Sequence, residues 1–99
     1  MQVGEASWYG PGFQGRPTAS GEIYNQWAMT AAHPTLPLGS VVRVTNLDER
    51  KSAVLRITDR GPYYGGRVLD VSRKAASKLG FVQDGTARVQ IELMPPATR

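Results

Sequence analysis

Carboxylates carry the most useful chemistry in this sequence, and two of them have neighbours that favour catalysis. Asp59 follows an alternating apolar run and precedes the turn residues Gly61 and Pro62, so we expect it at the end of a strand and at the lip of a loop. Glu22, Asp59 and Asp70 lie in glycine-rich or buried surroundings, unlike the acids in polar turns. A carboxylic acid in an apolar, aromatic-lined cleft keeps its proton to higher pH and can act as a general acid.

Structural roles for the same acids are also open at this point. An aspartate at a turn commonly accepts a hydrogen bond from a backbone N–H group two residues on, so Asp59 could simply cap its turn. Asp70 follows a short buried run and precedes a helix, so we expect it to bond backbone N–H groups at the helix start.

Other catalytic classes find little support. The chain has no cysteine and a single histidine, His33, with no carboxylate pair at ligand spacing, so we expect no metal site and no cofactor. It has neither a nucleophile elbow around a serine nor a phosphate-binding loop ending in Gly-Lys-Ser/Thr. The net charge of +4 comes from scattered cations, which indicates a solvated basic surface and no nucleic-acid partner.

The pattern of apolar residues predicts one mostly β domain. The 99 residues suffice for one domain, and the 11 glycines and 7 prolines imply many tight turns. Residues 22–29 could form a helical turn, and a helix follows Ser72 and ends before Gly80. In the strand at 52–58, Val54 and Ile57 should be buried. Strands are predicted at residues 4–10, 40–47, 52–58 and 86–93, and residues 68–71 are a short buried run that precedes the helix. About six short strands would expose edges unless the sheet closes into a small barrel.

Five motifs occur in a fixed order along the chain. They are GEASWYG at 4–10, GRxTASGExY at 15–24, TAAHxTLPxG at 30–39, VRVTNL at 42–47 and DRGP at 59–62. Together they resemble the rare lipoprotein A family of bacterial lytic transglycosylases, and the resemblance covers about residues 4–93. It implies a six-stranded double-psi β-barrel with one or two short helices, in a catalytic domain at 1–94 followed by a linker or tail at 95–99.

The resemblance also implies an activity and a set of site residues. Family members cleave the β-1,4 bond between N-acetylmuramic acid and N-acetylglucosamine and leave a 1,6-anhydro end. By position, Asp59 corresponds to the catalytic acid, Glu22 to the second essential carboxylate and His33 to a cleft residue. Gln14 departs from the family, since members often have histidine there. Candidate substrate contacts are Arg16, Phe13, Trp8, Arg60, Tyr63 and Tyr64, with the two arginines pairing either with a muramic acid carboxylate or with Glu22 and Asp59.

Partners and location follow from the same resemblance. The expected substrate is the peptidoglycan glycan strand, often septal glycan without stem peptides, and we expect a monomer whose domain makes no membrane contact. The full-length protein would be an outer-membrane-anchored lipoprotein of the periplasm. The start of this chain lacks a signal or lipidation segment, which by itself indicates either a cytosolic protein or an excised domain, and the resemblance agrees with an excised domain. The alternatives are a non-catalytic, expansin-like barrel that binds wall polysaccharide, a basic nucleic-acid-binding barrel and an inactive scaffold.

Overall fold

The computed structural model describes residues 1–10, 12–63 and 65–95. Within them, six strands close into a barrel with one short helix beside it. The elements are β1 Gln2–Trp8, β2 Thr30–Ala32, β3 Val41–Asn46, β4 Lys51–Asp59, β5 Arg67–Val71, α1 Arg73–Leu79 and β6 Thr86–Leu93. This architecture confirms the predicted fold class. No helix in the described part of the chain has the length and apolar character needed to cross a bilayer.

The barrel closes in the strand order β1-β5-β2-β4-β3-β6, with β6 returning to β1. Two neighbouring pairs are parallel, β1 with β5 and β2 with β4, and the other four pairs are antiparallel. Each of the six strands therefore has a partner on both sides, so closure removes the exposed edges that separate short strands would present. The predicted tail at 95–99 stays a prediction, since residues 96–99 lie outside the described residues.

The core fills the barrel from alternate positions of each strand. In β4 the side chains of Ala53, Leu55 and Ile57 are buried, whereas Val54 is 50% exposed. The prediction that Val54 and Ile57 are both buried was wrong. Successive side chains of a strand point to opposite faces, so two residues three positions apart cannot share one face. Arg56 lies on the outer face with Val54, and that placement matters for the site.

The helix α1 agrees with its prediction at both ends. The Ser72 hydroxyl accepts a hydrogen bond from the N–H group of Ala75 at 3.2 Å, and Gly80 adopts the left-handed conformation that ends the helix, with φ of 85°. The prediction that Asp70 bonds N–H groups at the helix start was wrong, because Ser72 fills that position. The Asp70 carboxylate instead accepts a hydrogen bond from the Ser7 hydroxyl at 2.9 Å.

The segment between β1 and β2 consists of turns that fold over the end of β4. The predicted helical turn at 22–29 is absent from this segment, which forms an isolated bridge between Pro17 and Ile23 and a series of bends. The N–H group of Thr18 donates to the Glu22 carbonyl at 2.8 Å, and the N–H group of Ser20 donates to the Thr58 carbonyl at 3.0 Å. These bonds fix the loop 18–22 against the last residues of β4.

Strand register brings two aspartates to the same level of the barrel. In β2, Ala32 pairs with Asp59 of β4 on one side and with Asp70 of β5 on the other. The short strand β2 therefore separates two carboxylates that lie 11 positions apart in the sequence. This register places them at one end of the barrel, close to the loop 18–22.

Candidate active site

Asp59 is the last residue of β4 and is half-buried. Its carboxylate accepts three hydrogen bonds of 2.9 Å, from the Tyr9 hydroxyl and from the N–H groups of Ala19 and Arg60. Its backbone carbonyl accepts from the N–H group of His33 at 3.1 Å. The three donors belong to the residue after β1, to the loop 18–22 and to the residue after β4. Fixed donors of this kind stabilise a negative charge on the carboxylate and hold its orientation.

An aromatic cluster made of Tyr9, Phe13 and Tyr24 lies beside this carboxylate. The Tyr9 and Tyr24 rings stack with centroids 4.5 Å apart, and Phe13 meets the Tyr9 ring edge-on at 5.4 Å. Burial, followed by the hydrogen bond to Asp59, raises the pKa of the Tyr9 hydroxyl well above its ordinary range, so it stays protonated and donates. Neither Tyr9 nor Tyr24 was predicted to have a role in the site, and the signal that could have identified Tyr9 is its place in the GEASWYG motif.

Asp70 is a second half-buried carboxylate near the cluster. Burial raises its pKa, the hydrogen bond from Ser7 and the charge of Arg67 act in the opposite direction, and the charge of Asp59 raises it further. The pKa of the Tyr9 hydroxyl is also raised by the charges of both aspartates. Asp59, Asp70 and Tyr9 thus form one electrostatically coupled group at this end of the barrel.

Glu22 follows Gly21 in the loop 18–22, and its side chain is exposed. Arg56, on the outer face of β4, donates to both of its carboxylate oxygens, and the bond to Oε1 is 2.8 Å long. This bidentate hydrogen bonding is the main reason that the pKa of Glu22 is lowered. Arg56 was missed because the sequence analysis considered only Arg16 and Arg60 as partners. The pair lines a cleft of about 250 Å³.

The loop 18–22 connects the two carboxylates named by the sequence analysis. Its Ala19 N–H group donates to Asp59, and the Ser20 hydroxyl donates to a Glu22 carboxylate oxygen at 3.4 Å. The loop is closed by a 2.8 Å bond from the Thr18 hydroxyl to the Glu22 carbonyl. The structure therefore attaches both carboxylates to one short loop, with Asp59 half-buried and Glu22 exposed.

His33 is buried below this surface, and both of its ring nitrogens have partners. Nδ1 accepts from the N–H groups of Thr35 and Leu36 at 3.1 Å each, so the ring proton is on Nε2, which donates to the Gln2 side-chain oxygen at 2.9 Å. Burial, and then the charge of Arg60, lowers the pKa of the imidazole. The structure therefore places His33 as a neutral side chain that fixes the turn after β2.

The remaining predicted contacts are dispersed. Arg60 donates to the carbonyls of His33 and Leu36, and Arg16 lies over the Phe13 ring with its guanidinium carbon 5.7 Å from the centroid. Glu22 is paired with Arg56 and not with Arg16 or Arg60, and the donors to Asp59 in the described part of the chain are the Tyr9 hydroxyl and two backbone N–H groups. Trp8 is half-buried and donates to the Val82 carbonyl, whereas Tyr63 is 75% exposed. Tyr64 lies outside the described residues.

The chain is similar to one known protein family and to two solved structures. A family model described as lytic transglycolase matches residues 1–91. Two solved structures share the fold at low sequence identity. The Streptomyces papain inhibitor superposes with a TM-score of 0.73 at 18% identity and covers 95% of this chain and 94% of its own. Cerato-platanin 3 from M. perniciosa superposes with a TM-score of 0.71 at 14% identity and covers 95% of both chains.

Several curated bacterial proteins are much more similar in sequence. One from Pseudomonas aeruginosa is 58% identical over 94 residues, which are 95% of this chain and 28% of the relative. One from Neisseria meningitidis is 57% identical over 95 residues, 96% of this chain and 40% of the relative. Both are named endolytic peptidoglycan transglycosylase RlpA. The chain thus spans well under half the length of these relatives.

Proposed function

This chain belongs to the lytic transglycolase family, and on that premise we propose that it is a peptidoglycan lytic transglycosylase. It cleaves the β-1,4 bond between N-acetylmuramic acid and N-acetylglucosamine and leaves a 1,6-anhydro end. The observation that carries this proposal is the Asp59 carboxylate, which lies at a strand end and is held by three donors beside an aromatic cluster. The cleft lined by Glu22 and Arg56 extends to Thr58, the residue before Asp59.

Asp59 moves the proton in both halves of the reaction. In its protonated form it donates to the glycosidic oxygen while the bond from that oxygen to C1 of the muramic acid breaks. The resulting carboxylate then takes the proton of the C6 hydroxyl as that oxygen bonds to C1. No water enters, and the attack within one sugar gains from proximity. Tyr9, Ala19 and Arg60 donate to the negative charge that appears on Asp59 after the first half.

Glu22 orients the sugar. Its lowered pKa keeps it ionised, so it does not deliver a proton. Arg56 offsets most of its charge through the bidentate pair, which favours a positioning role over direct stabilisation of a positively charged ring. The carboxylate lone pairs that Arg56 leaves free accept hydrogen bonds from sugar hydroxyl or amide groups in the adjoining cleft.

The other predicted residues act around this centre. His33 holds the turn whose carbonyls receive Arg60, so we assign it to positioning the end of β4. Phe13, with Arg16 across its ring, and Tyr63 offer exposed surfaces to the glycan. Trp8 supports the barrel end through its bond to Val82. The role of Arg60 is to hold the turn, since its guanidinium donates to two carbonyls.

The substrate and the location follow from the proposed reaction. The protein acts as a monomer on glycan strands in the bacterial cell envelope. The finer proposals are septal glycan without stem peptides as the substrate, and anchoring of the full-length protein in the outer membrane as a lipoprotein. Both concern a protein longer than this chain, because the relatives extend well beyond the matched region.

Product analysis tests the proposed reaction. Purified glycan strands are digested with the wild-type chain and with Asp59→Asn, and the products are examined by mass spectrometry. We expect ends lighter by one water than hydrolytic ends, formed by the wild type and absent with the variant. Hydrolytic ends would contradict the transglycosylase mechanism. Binding of strands without any cleavage would favour the alternative of a non-catalytic wall-binding barrel.

A further inference from the structure

Trp27 is a large aromatic side chain that the catalytic proposal leaves unused. Its side chain is 56% exposed. Indole rings contribute much apolar area when they are covered, so an exposed ring on an ordered loop is a candidate for ligand contact. The other tryptophan of the chain, Trp8, differs because it is half-buried and donates to the Val82 carbonyl at 3.2 Å.

The loop that carries Trp27 is fixed from several sides. Within the loop, the N–H group of Trp27 donates to the Asn25 side-chain oxygen at 3.0 Å. The N–H group of Gln26 donates to the Gln14 side chain at 2.8 Å, and its carbonyl accepts from the N–H group of Lys74 at 2.9 Å. A ring held this way needs little ordering when a ligand binds, which lowers the entropic cost of binding.

One face of the indole ring is already occupied. The guanidinium carbon of Arg73 lies 5.5 Å from the ring centroid, a cation–π distance. More than half of the residue is nevertheless exposed, so much of the indole surface outside the Arg73 contact remains accessible. Arg73 thus packs on the ring and leaves apolar ring surface in contact with solvent.

Trp27 lies in the loop that borders the cleft containing Glu22. Asn25 and Ala28, which precede and follow the tryptophan in the same loop, line that cleft together with Glu22 and Arg56. The Gln26 bond to Gln14 joins the loop to the segment that carries the exposed Phe13 ring. A chain of sugars that passes Asp59 and Glu22 can therefore continue onto this ring.

We propose that Trp27 is a stacking platform for a further sugar of the glycan strand, at a subsite beyond Glu22. The ligand class is a β-1,4-linked N-acetylhexosamine, whose pyranose ring presents an apolar face of C–H groups to the indole. This inference rests on the proposed function for the choice of glycan. It predicts that the platform contributes to holding long strands and not to the bond-breaking step itself.

Binding measured without turnover tests the platform. In an Asp59→Asn background, Trp27→Ala should weaken the binding of a β-1,4-linked N-acetylglucosamine oligomer about tenfold by calorimetry, and Trp27→Phe should weaken it less, since it keeps a ring. The control is Leu93→Ala, which truncates a similarly exposed apolar side chain, 57%, at the end of β6. Tryptophan emission should shift to the blue when the parent protein binds and stay unshifted in Trp27→Ala.

Three results of the binding experiment would overturn the proposed role of Trp27. Equal affinity of Trp27→Ala and its parent, an equal loss in Leu93→Ala, or no binding by the parent would overturn the platform. In the active chain, Trp27→Ala should raise KM for long strands and leave kcat nearly unchanged; a fall in kcat alone would also overturn it. Failure of the proposed reaction is separate, because it would appear as absent anhydro ends with the wild type whatever the affinities are.

Discussion

The hydroxyl of Tyr9 offers the sharpest test of how Asp59 is held. It donates one of three hydrogen bonds to the carboxylate, at 2.9 Å, and its ring is stacked against Tyr24 and meets Phe13 edge-on. Tyr9→Phe removes that donor and retains the ring packing. We expect turnover to fall because a negative charge appears on Asp59 when it gives up its proton, and this charge would lose one donor of three.

The size of the effect follows from the kind of bond. A hydrogen bond to a charged group contributes about 1.5–3 kcal/mol, and each 1.36 kcal/mol corresponds to a tenfold change in rate. If the bond acts mainly in the charged state, kcat should fall by roughly 10- to 150-fold. Initial rates of anhydro-end formation on stem-peptide-free glycan, measured at saturating substrate, give this number.

Tyr24→Phe is the matched control. It makes the same chemical change in the stacked partner ring, whose hydroxyl accepts from the N–H group of Arg73 at 3.3 Å and does not touch Asp59. We expect it to lower kcat less than about threefold, since it loses only a weak neutral bond. Wild-type turnover in Tyr9→Phe, or equal losses in the two variants with unchanged thermal unfolding, would refute the reasoning.

Three further predictions concern neighbouring features. Arg56→Gln removes the main cause of the lowered pKa of Glu22, so this pKa should rise toward its ordinary 4.5. The acid limb of the pH–rate profile should then move to higher pH. Arg56→Lys should move this limb less, because it keeps a positive charge. His33→Leu should destabilise the fold by about 1–3 kcal/mol, because the N–H groups of Thr35 and Leu36 lose their Nδ1 acceptor. The pKa of His33 is lowered on folding, so wild-type stability should fall as pH drops below 6.5 and through the folded pKa, and urea titrations should show a smaller fall in the variant. Gly4→Ala should lower the free energy of unfolding by about 1–3 kcal/mol, because the added Cβ would lie 2.5 Å from a Val68 methyl group. In Gly10→Ala the added Cβ has nothing within 4 Å, so the unfolding midpoint should change little.

The fold was largely predictable because its signals are local. Alternation in β3 and β6 and the two capping residues of α1 are signals that lie within each element or beside it in the sequence. The strand β2 has three residues, too few to show a period, and it is recognisable only by its pairing with β4 and β5. The error at Val54 arose because two apolar residues of one strand were assigned to the core three positions apart.

The candidate site was only partly predictable for a different reason. Asp59 could be found because its strand and its turn are adjacent in sequence. Its partners Tyr9 and Ala19 lie 50 and 40 positions away, and the Arg56 partner of Glu22 lies 34 positions away. Strand register and loop closure bring these groups together, and no spacing rule in the sequence encodes that contact.

Asp59 and Asp70 lie at the same end of the barrel, and substituting each one separately identifies which carries the proton. Asp59→Asn and Asp70→Asn make the same isosteric change on either side of Ala32, and kcat for anhydro-end formation is compared in the two folded variants. We predict that Asp59→Asn abolishes product formation, whereas Asp70→Asn keeps measurable turnover. Product formation by Asp59→Asn near the wild-type rate, together with its loss in Asp70→Asn, would show that Asp59 is not the proton carrier and would assign the proton to Asp70.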